Sequence, residues 1–170
     1  MVQTAVNMKS ISGIFDEQAA QSLLYELEGF HIQAQDVSVL MSENTGNSLI
    51  KMRSSNKAPE GASIGGLSGG VIGAIVGSLT LAGSVIAPGV GLLMAGPVVG
   101  LLAGTAAGVG AGGILGALIG LGVPEHEAKY YQDTLKDDGN MLIVVRVSDE
   151  ALPQIKGLFE RFHGKNIHVT

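Results

Sequence analysis

Apolar positions recur along this chain with three different rhythms, and each predicts a different kind of element. Over residues 9–15 they alternate. Ile11, Gly13 and Phe15 fall on one side of an extended chain, and Ser10, Ser12 and Ile14 fall on the other, which predicts a strand. Asp16 is placed to cap a helix, its carboxylate accepting from the free amides of the first turn. Ala20, Leu23, Leu24 and Leu27 then follow at helical spacing, and Gly29 stands where a left-handed C-terminal residue is wanted. Val37, Val39 and Met41 alternate with Ser38 and Leu40, giving a second strand.

The same rhythms return near the other end of the chain. Pro124 suits the first position of a helix, Glu125 and Glu127 complement its positive end, and Ala128, Tyr131 and Leu135 line one face up to Gly139. Met141 to Val147 (MLIVVRV) is a nearly continuous apolar run, as expected of a central strand buried on both faces. Leu152, Ile155, Leu158, Phe159 and Phe162 form the stripe of a further helix with Gly164 after it, and Ile167 to Thr170 make a short last strand. Joined without the middle, the flanks have the order of a ferredoxin-like split βαβ sandwich, interrupted between its second and third strands. The helix at 124–138 is extra to that pattern. Neither half alone has enough strands to close a core, so the two are expected to fold together.

The middle follows a four-residue rhythm of glycine. Between Gly61 and Pro124 there is no Asp, Glu, Lys, Arg or His. Gly61, Gly65, Gly69, Gly73 and Gly77 recur every four residues; after Ala87-Pro88-Gly89-Val90-Gly91 the pattern resumes as Gly96, Gly100, Gly104, Gly108, Gly112, Gly116 and Gly120. The expectation is two helices of roughly 24 residues, about 36 Å each, the second started by Pro97 and the pair joined by a tight turn. Either could cross a hydrocarbon core of about 30 Å. Each helical glycine costs about 1 kcal/mol relative to Ala, and close helix–helix approach is what offsets that cost. Successive glycines drift about 40° around the axis, so a stripe of seven winds about 240°. That is more than one straight partner covers and implies oligomers. The waist of the second helix, Gly104 to Gly113, holds one large apolar residue, Val109, which suits burial against other helices. The organisation is therefore 1–41 as first half of the α/β sandwich, 42–60 as polar linker, 61–123 as glycine-zipper hairpin and 124–170 as second half. The overall class is α+β.

Composition sharpens this picture. Gly is 26 of 170 residues and charged residues are 15%, against averages of about 7% and about 25%. The net charge of -5 disfavours nucleic acid as a partner. The absence of Cys excludes disulfides, thiolate metal sites and a cysteine nucleophile. MVQTAVNMKSISGIF has no apolar core of signal-peptide length, so the flanks are expected in the cytoplasm. Lys51, Arg53 and Lys57 are the positive cluster nearest the apolar segment. They are either a solvated linker or, with Tyr130, candidate membrane-interface contacts.

No constellation for catalysis emerges. His31, His126, His163 and His168 show no metal-ligand spacing within one helix. His126 is an exposed first-turn residue on this pattern, and His163 a favourable charge at a helix C-terminus. No Gly-Lys-Ser or Gly-Lys-Thr follows the glycine-rich runs, so a phosphate loop is rejected. Glu125, Glu127, Asp133, Asp137 and Asp138 have the pattern of a solvated helix face. No metal, cofactor or catalytic residue is expected.

SGIFDEQAAQSLLYELEGF with DVSVLMSE, the glycine-zipper centre, and GALIGLGVPEHEAKYYQDTLKDDGNMLIVVRV together resemble bacterial stress-induced proteins of the YflT or general-stress type. They are also similar to cyanobacterial low-temperature-induced proteins, whose group the leading MVQT resembles as well. The resemblance spans nearly the whole chain and is most specific over Gly120 to Tyr131. It implies a stress-associated, membrane-associated protein without an assigned reaction. The leading expectation is a non-enzymatic homo-oligomer, its hairpin in a lipid bilayer and both termini cytoplasmic. The alternative is a soluble assembly with hairpins buried inside the particle. A small-ligand sensor comes third, on fold analogy alone.

Overall fold

A computed structural model describes residues 8–48, 85–87, 92–95, 115, 119 and 124–170. The N-terminal half runs β1 (Met8–Asp16), α1 (Glu17–Gly29), a 3-10 turn (Ala34–Asp36) and β2 (Val37–Ser42), followed by a helical stretch at 43–48. Two short strands follow, β3 (Val85–Ala87) and β4 (Leu92–Ala95). The C-terminal half is α2 (Glu125–Lys136), β5 (Asn140–Ser148), α3 (Leu152–Arg161) and β6 (Lys165–Val169). The strands form one sheet in the order β3-β4-β2-β5-β1-β6, antiparallel at every pairing. The class is α+β.

β5 takes the centre because its sequence can be buried from every side. β1 pairs along one edge and β2 along the other, so Ile143 lies between Gly13 and Val39, and Leu142 between Ile14 and Leu40. The two halves of the chain thus alternate in the sheet, each supplying a strand that the other encloses.

One face, carrying Ile11, Phe15, Val39, Met41, Ile143 and Val145, packs against Ala20, Leu23, Leu24 and Leu27 of α1 and Ile155, Leu158 and Phe159 of α3. The opposite face buries Ile14, Leu40 and Leu142, with α2 packed against β5 and β2. Ala128, Tyr131 and Leu135 of α2 are all fully buried. The helix that stands outside the plain sandwich order is therefore a cover for the second sheet face, which is what makes the unbroken apolar run of β5 stable there.

Local chemistry explains the helix ends. Asp16 Oδ1 accepts from the Ala19 amide at 2.9 Å, so the expected cap is present. The expected left-handed Gly29 is corrected: α1 continues through Gly29, and the left-handed residue is His31 with φ 59°. The Ile32 amide reaches the Leu27 carbonyl and the His31 amide that of Glu28. α3 ends in the same way, with His163 at φ 58°, the Gly164 amide on Phe159 and the His163 amide on Glu160. Both are Schellman closures built on a Phe-His pair, and histidine is among the side chains that tolerate this region best. His163 is thus a backbone corner as well as a charge near a helix end.

Gly164 has a steric role. Phe15 and Phe159 meet edge to face at 5.1 Å, and a Cβ on Gly164 would lie 2.7 Å from Phe15 Cζ and 2.9 Å from the Phe159 carbonyl oxygen. Pro124 precedes α2 as its cap, one position earlier than expected, and its carbonyl accepts from Ala128 at 2.9 Å.

The expected helical hairpin over 61–123 is corrected at its centre: 85–87 and 92–95 are extended and pair with each other, with β4 also pairing with β2. Val85 and Ile86 favour an extended chain, and the edge of β2 needs a backbone partner. The rest of that segment, apart from Leu115 and Ile119, lies outside the described residues.

Gly164→Ala should destabilise the body by about 1–3 kcal/mol through overpacking. Gly157→Ala, inside α3 with nothing within 4 Å of an added Cβ, should stabilise it by up to about 1 kcal/mol. Thermal and urea unfolding of both variants checks the contrast.

Candidate functional site

Of the residues singled out from sequence, Gly61, Gly65, Gly69, Gly73, Gly77, Gly96, Gly100, Gly104, Gly108, Gly112, Gly116 and Gly120 lie outside the described residues, as do Lys51, Arg53 and Lys57. Tyr130 is described. It is 43% exposed on α2, with its ring edge-on to Tyr131 at 6.3 Å. What can be built from atoms is the place where the apolar segment leaves the body and returns to it.

The departure point is the end of β2. Ser42 and Thr45 are buried there beside the turn that leads from α2 into β5. Gly139 makes that turn at φ +89°, a conformation for which glycine is the natural residue. Its amide donates to Thr45 Oγ1 at 2.9 Å. Ser42 Oγ donates to Asp138 Oδ1 at 2.8 Å, which leaves Thr45 Oγ1 to donate to Ser42 Oγ, also at 2.8 Å. The Thr45 amide donates to Ser42 Oγ at 3.0 Å, and Asn44 Nδ2 reaches Asp138 Oδ2 at 3.3 Å. The result is one directional chain from an amide through two hydroxyls to a carboxylate. It ties residues 42–45 to 138–139 across the base of the insertion. Asp138 is exposed, as expected, but it lies in the turn beyond α2 rather than on a helix face, and it is the terminal acceptor of this clasp.

The return point is α2. Tyr131 is buried against the sheet, its hydroxyl donating to the Asn166 carbonyl of β6 and hydrogen-bonded to Ser12 as well. Burial, aided by the nearby Glu127 and Tyr130 and opposed by the Ser12 hydrogen bond, pushes the Tyr131 hydroxyl above its ordinary value of 10.0. Glu127 also departs from the solvated-face expectation: its carboxylate is 3.3 Å from His168 Nδ1 on β6 and 3.9 Å from His126 Nε2. His126 itself is an exposed first-turn side chain, 82% accessible. Asp133 pairs with Lys136 at 3.2 Å along the outer face. Helical spacing alone could not reveal the Glu127–His168 contact, because its partners are far apart in sequence.

Among the described residues every buried side-chain nitrogen and oxygen has a hydrogen-bond partner, and no group of three His, Asp or Glu is placed to hold a metal ion. A depression lined by Asp16, Gln18, Ala19, Gln21 and Ser22 is open to solvent. Among the described residues no helix is long and apolar enough to cross a membrane. No protein-family model, curated protein or solved structure matches the chain.

The raised Tyr131 value has a pH consequence. Above about pH 10 the unfolded chain loses a proton that the folded chain retains, so stability falls as pH rises until the folded-state value is passed. Below pH 10 the residue adds no slope. Tyr131→Phe should remove this alkaline decline while costing about 1 kcal/mol at neutral pH. Equal slopes for parent and variant in urea titrations above pH 10 would contradict the assignment.

Proposed function

We propose that this protein is a non-enzymatic, self-assembling protein in which glycine-striped helices of the 61–123 segment pack between copies, while a ferredoxin-like body caps and anchors them. The ferredoxin-like reading draws support from the order β2-β5-β1-β6 of the four longer strands, with α1 and α3 on one face. The self-assembly reading rests chiefly on the doubled glycine register in a charge-free run. The clasp at Ser42, Thr45, Asp138 and Gly139 supports it by giving that run a fixed base. The resemblance to stress-induced proteins adds the expectation that the assembly serves a stress response.

Two surroundings suit such a segment. Its length and lack of charge support a bilayer, with Lys51, Arg53, Lys57 and Tyr130 at the cytoplasmic interface. The pairing of β4 with β2 favours the other surrounding, a particle in which the helices are buried against protein. Residues 96–123 connect two parts of one body. A single crossing would place Ala95 and Pro124 on opposite sides of the membrane. A return path leaves arms of about 14 residues, about 21 Å, short of a core of about 30 Å.

Size-exclusion chromatography with and without detergent, together with carbonate extraction of membranes, tests both. A discrete, detergent-independent particle supports burial in protein, and retention in carbonate-washed membranes supports the bilayer. In either setting Gly108→Leu should disrupt assembly far more than Leu118→Ala. Parent-like assembly by both variants would remove the zipper as the interface.

A further inference from the structure

The two ends of the sheet are treated differently. At the β6 end the strand carries Lys165 and His168, its pairing with β1 is broken by a register shift between Ser12 and Ile14, and Asn166 is left-handed at φ 49°. Charge, a bulge and a bent backbone are the devices that keep an edge from pairing with another chain. β2 has none of them. Its sequence VSVLMS is uncharged and free of proline, and all six residues are buried. Such an edge needs a strand beside it, and β4 fills the place with the register Val39↔Ala95, Leu40↔Met94, Met41↔Leu93 and Ser42↔Leu92.

The strand that fills it is joined to the body through long connections on both sides. Residues 43–84 separate the β3–β4 hairpin from β2, and residues 96–123 separate it from α2. Even the shorter connection spans about 40 Å as helix and about 90 Å if extended. The six-stranded sheet is only about 29 Å wide at 4.8 Å per strand. The hairpin carries no charge that would favour its own body over another. Its hold on β2 includes backbone hydrogen bonds that a second copy would make identically.

We infer that the β3–β4 hairpin is an exchangeable strand pair, and that the β2 edge is an interaction surface whose partner is the same hairpin of a second copy. Exchange replaces each contact with its equal, so it costs little once copies are held together, as in domain swapping. The inference rests on the self-assembly reading only for what brings the copies together.

The absence of native cysteine makes a clean test possible. Two differently tagged chains are co-expressed, one carrying Leu40→Cys and the other Met94→Cys, and in parallel Val39→Cys with Ala95→Cys. Adjacent antiparallel pairs alternate between the two Cα separations of about 4.5 and 5.5 Å, both within disulfide range. The second register therefore guards against poor geometry or misfolding in the first. After mild oxidation, a disulfide-linked species bearing both tags is expected in at least one register. Double variants that cross-link only within a chain, with no two-tag species in either register, would overturn strand exchange. So would the absence of any cross-link, because β4 would then not lie on β2. Chromatography of the parent protein keeps the two readings apart: a particle without two-tag cross-links removes exchange and leaves self-assembly standing.

Discussion

Every other feature of this protein depends on the burial of β5. Met141 to Val145 and Val147 are shielded on both faces, while β1 and β2 occupy both edges of the strand. At roughly 1.5–3 kcal/mol for each large apolar side chain fully buried, those six residues outweigh any single polar contact in the body. The strand comes from one half of the chain and its two neighbours from the other. Folding is therefore an act of both halves together, and the charge-free segment between them is held at both ends as soon as the sheet forms.

That arrangement gives the smaller interactions their meaning. α2 completes the second face and, through Tyr131 and Glu127, fastens the return of the apolar segment to β6. The chain from Gly139 to Asp138 closes the gap from which the segment departs. β4 lies on the one long edge that lacks protective features. The charge-free segment is thereby tied to the body at its base by the clasp and at 92–95 by pairing with β2.

Much of this body was legible in sequence because it rests on local rules. The Asp16 cap, the stripe from Ala20 to Leu27, the alternation of β1 and β2 and the apolar run of β5 each follow from neighbours a few residues apart. What local rules could not supply was the use of long-range contacts. α2 reads as an extra helix until the second face of the sheet is seen to need it. Asp138 reads as a carboxylate with no partner until Ser42 is brought beside it, and Glu127 as fully solvated until His168 is. Gly29 and Gly164 look like helix stops by type. Yet the left-handed positions went to His31 and His163, where the closing hydrogen bonds fall, and Gly164 serves the Phe15–Phe159 pair. The strands at 85–87 and 92–95 were hidden because the glycine rhythm around them is so regular, and because an edge in need of a partner is a property of the whole sheet.

The interdependence of the two halves is open to one direct measurement, native-state hydrogen exchange of the intact chain. Amides of Ile143 and Val145 should exchange together with those of Ile11, Ile14, Val39 and Met41, at a single free energy equal to that of global unfolding. Persistent protection of β5 and β6 under conditions where residues 8–42 exchange freely would show two separable units and contradict the shared core.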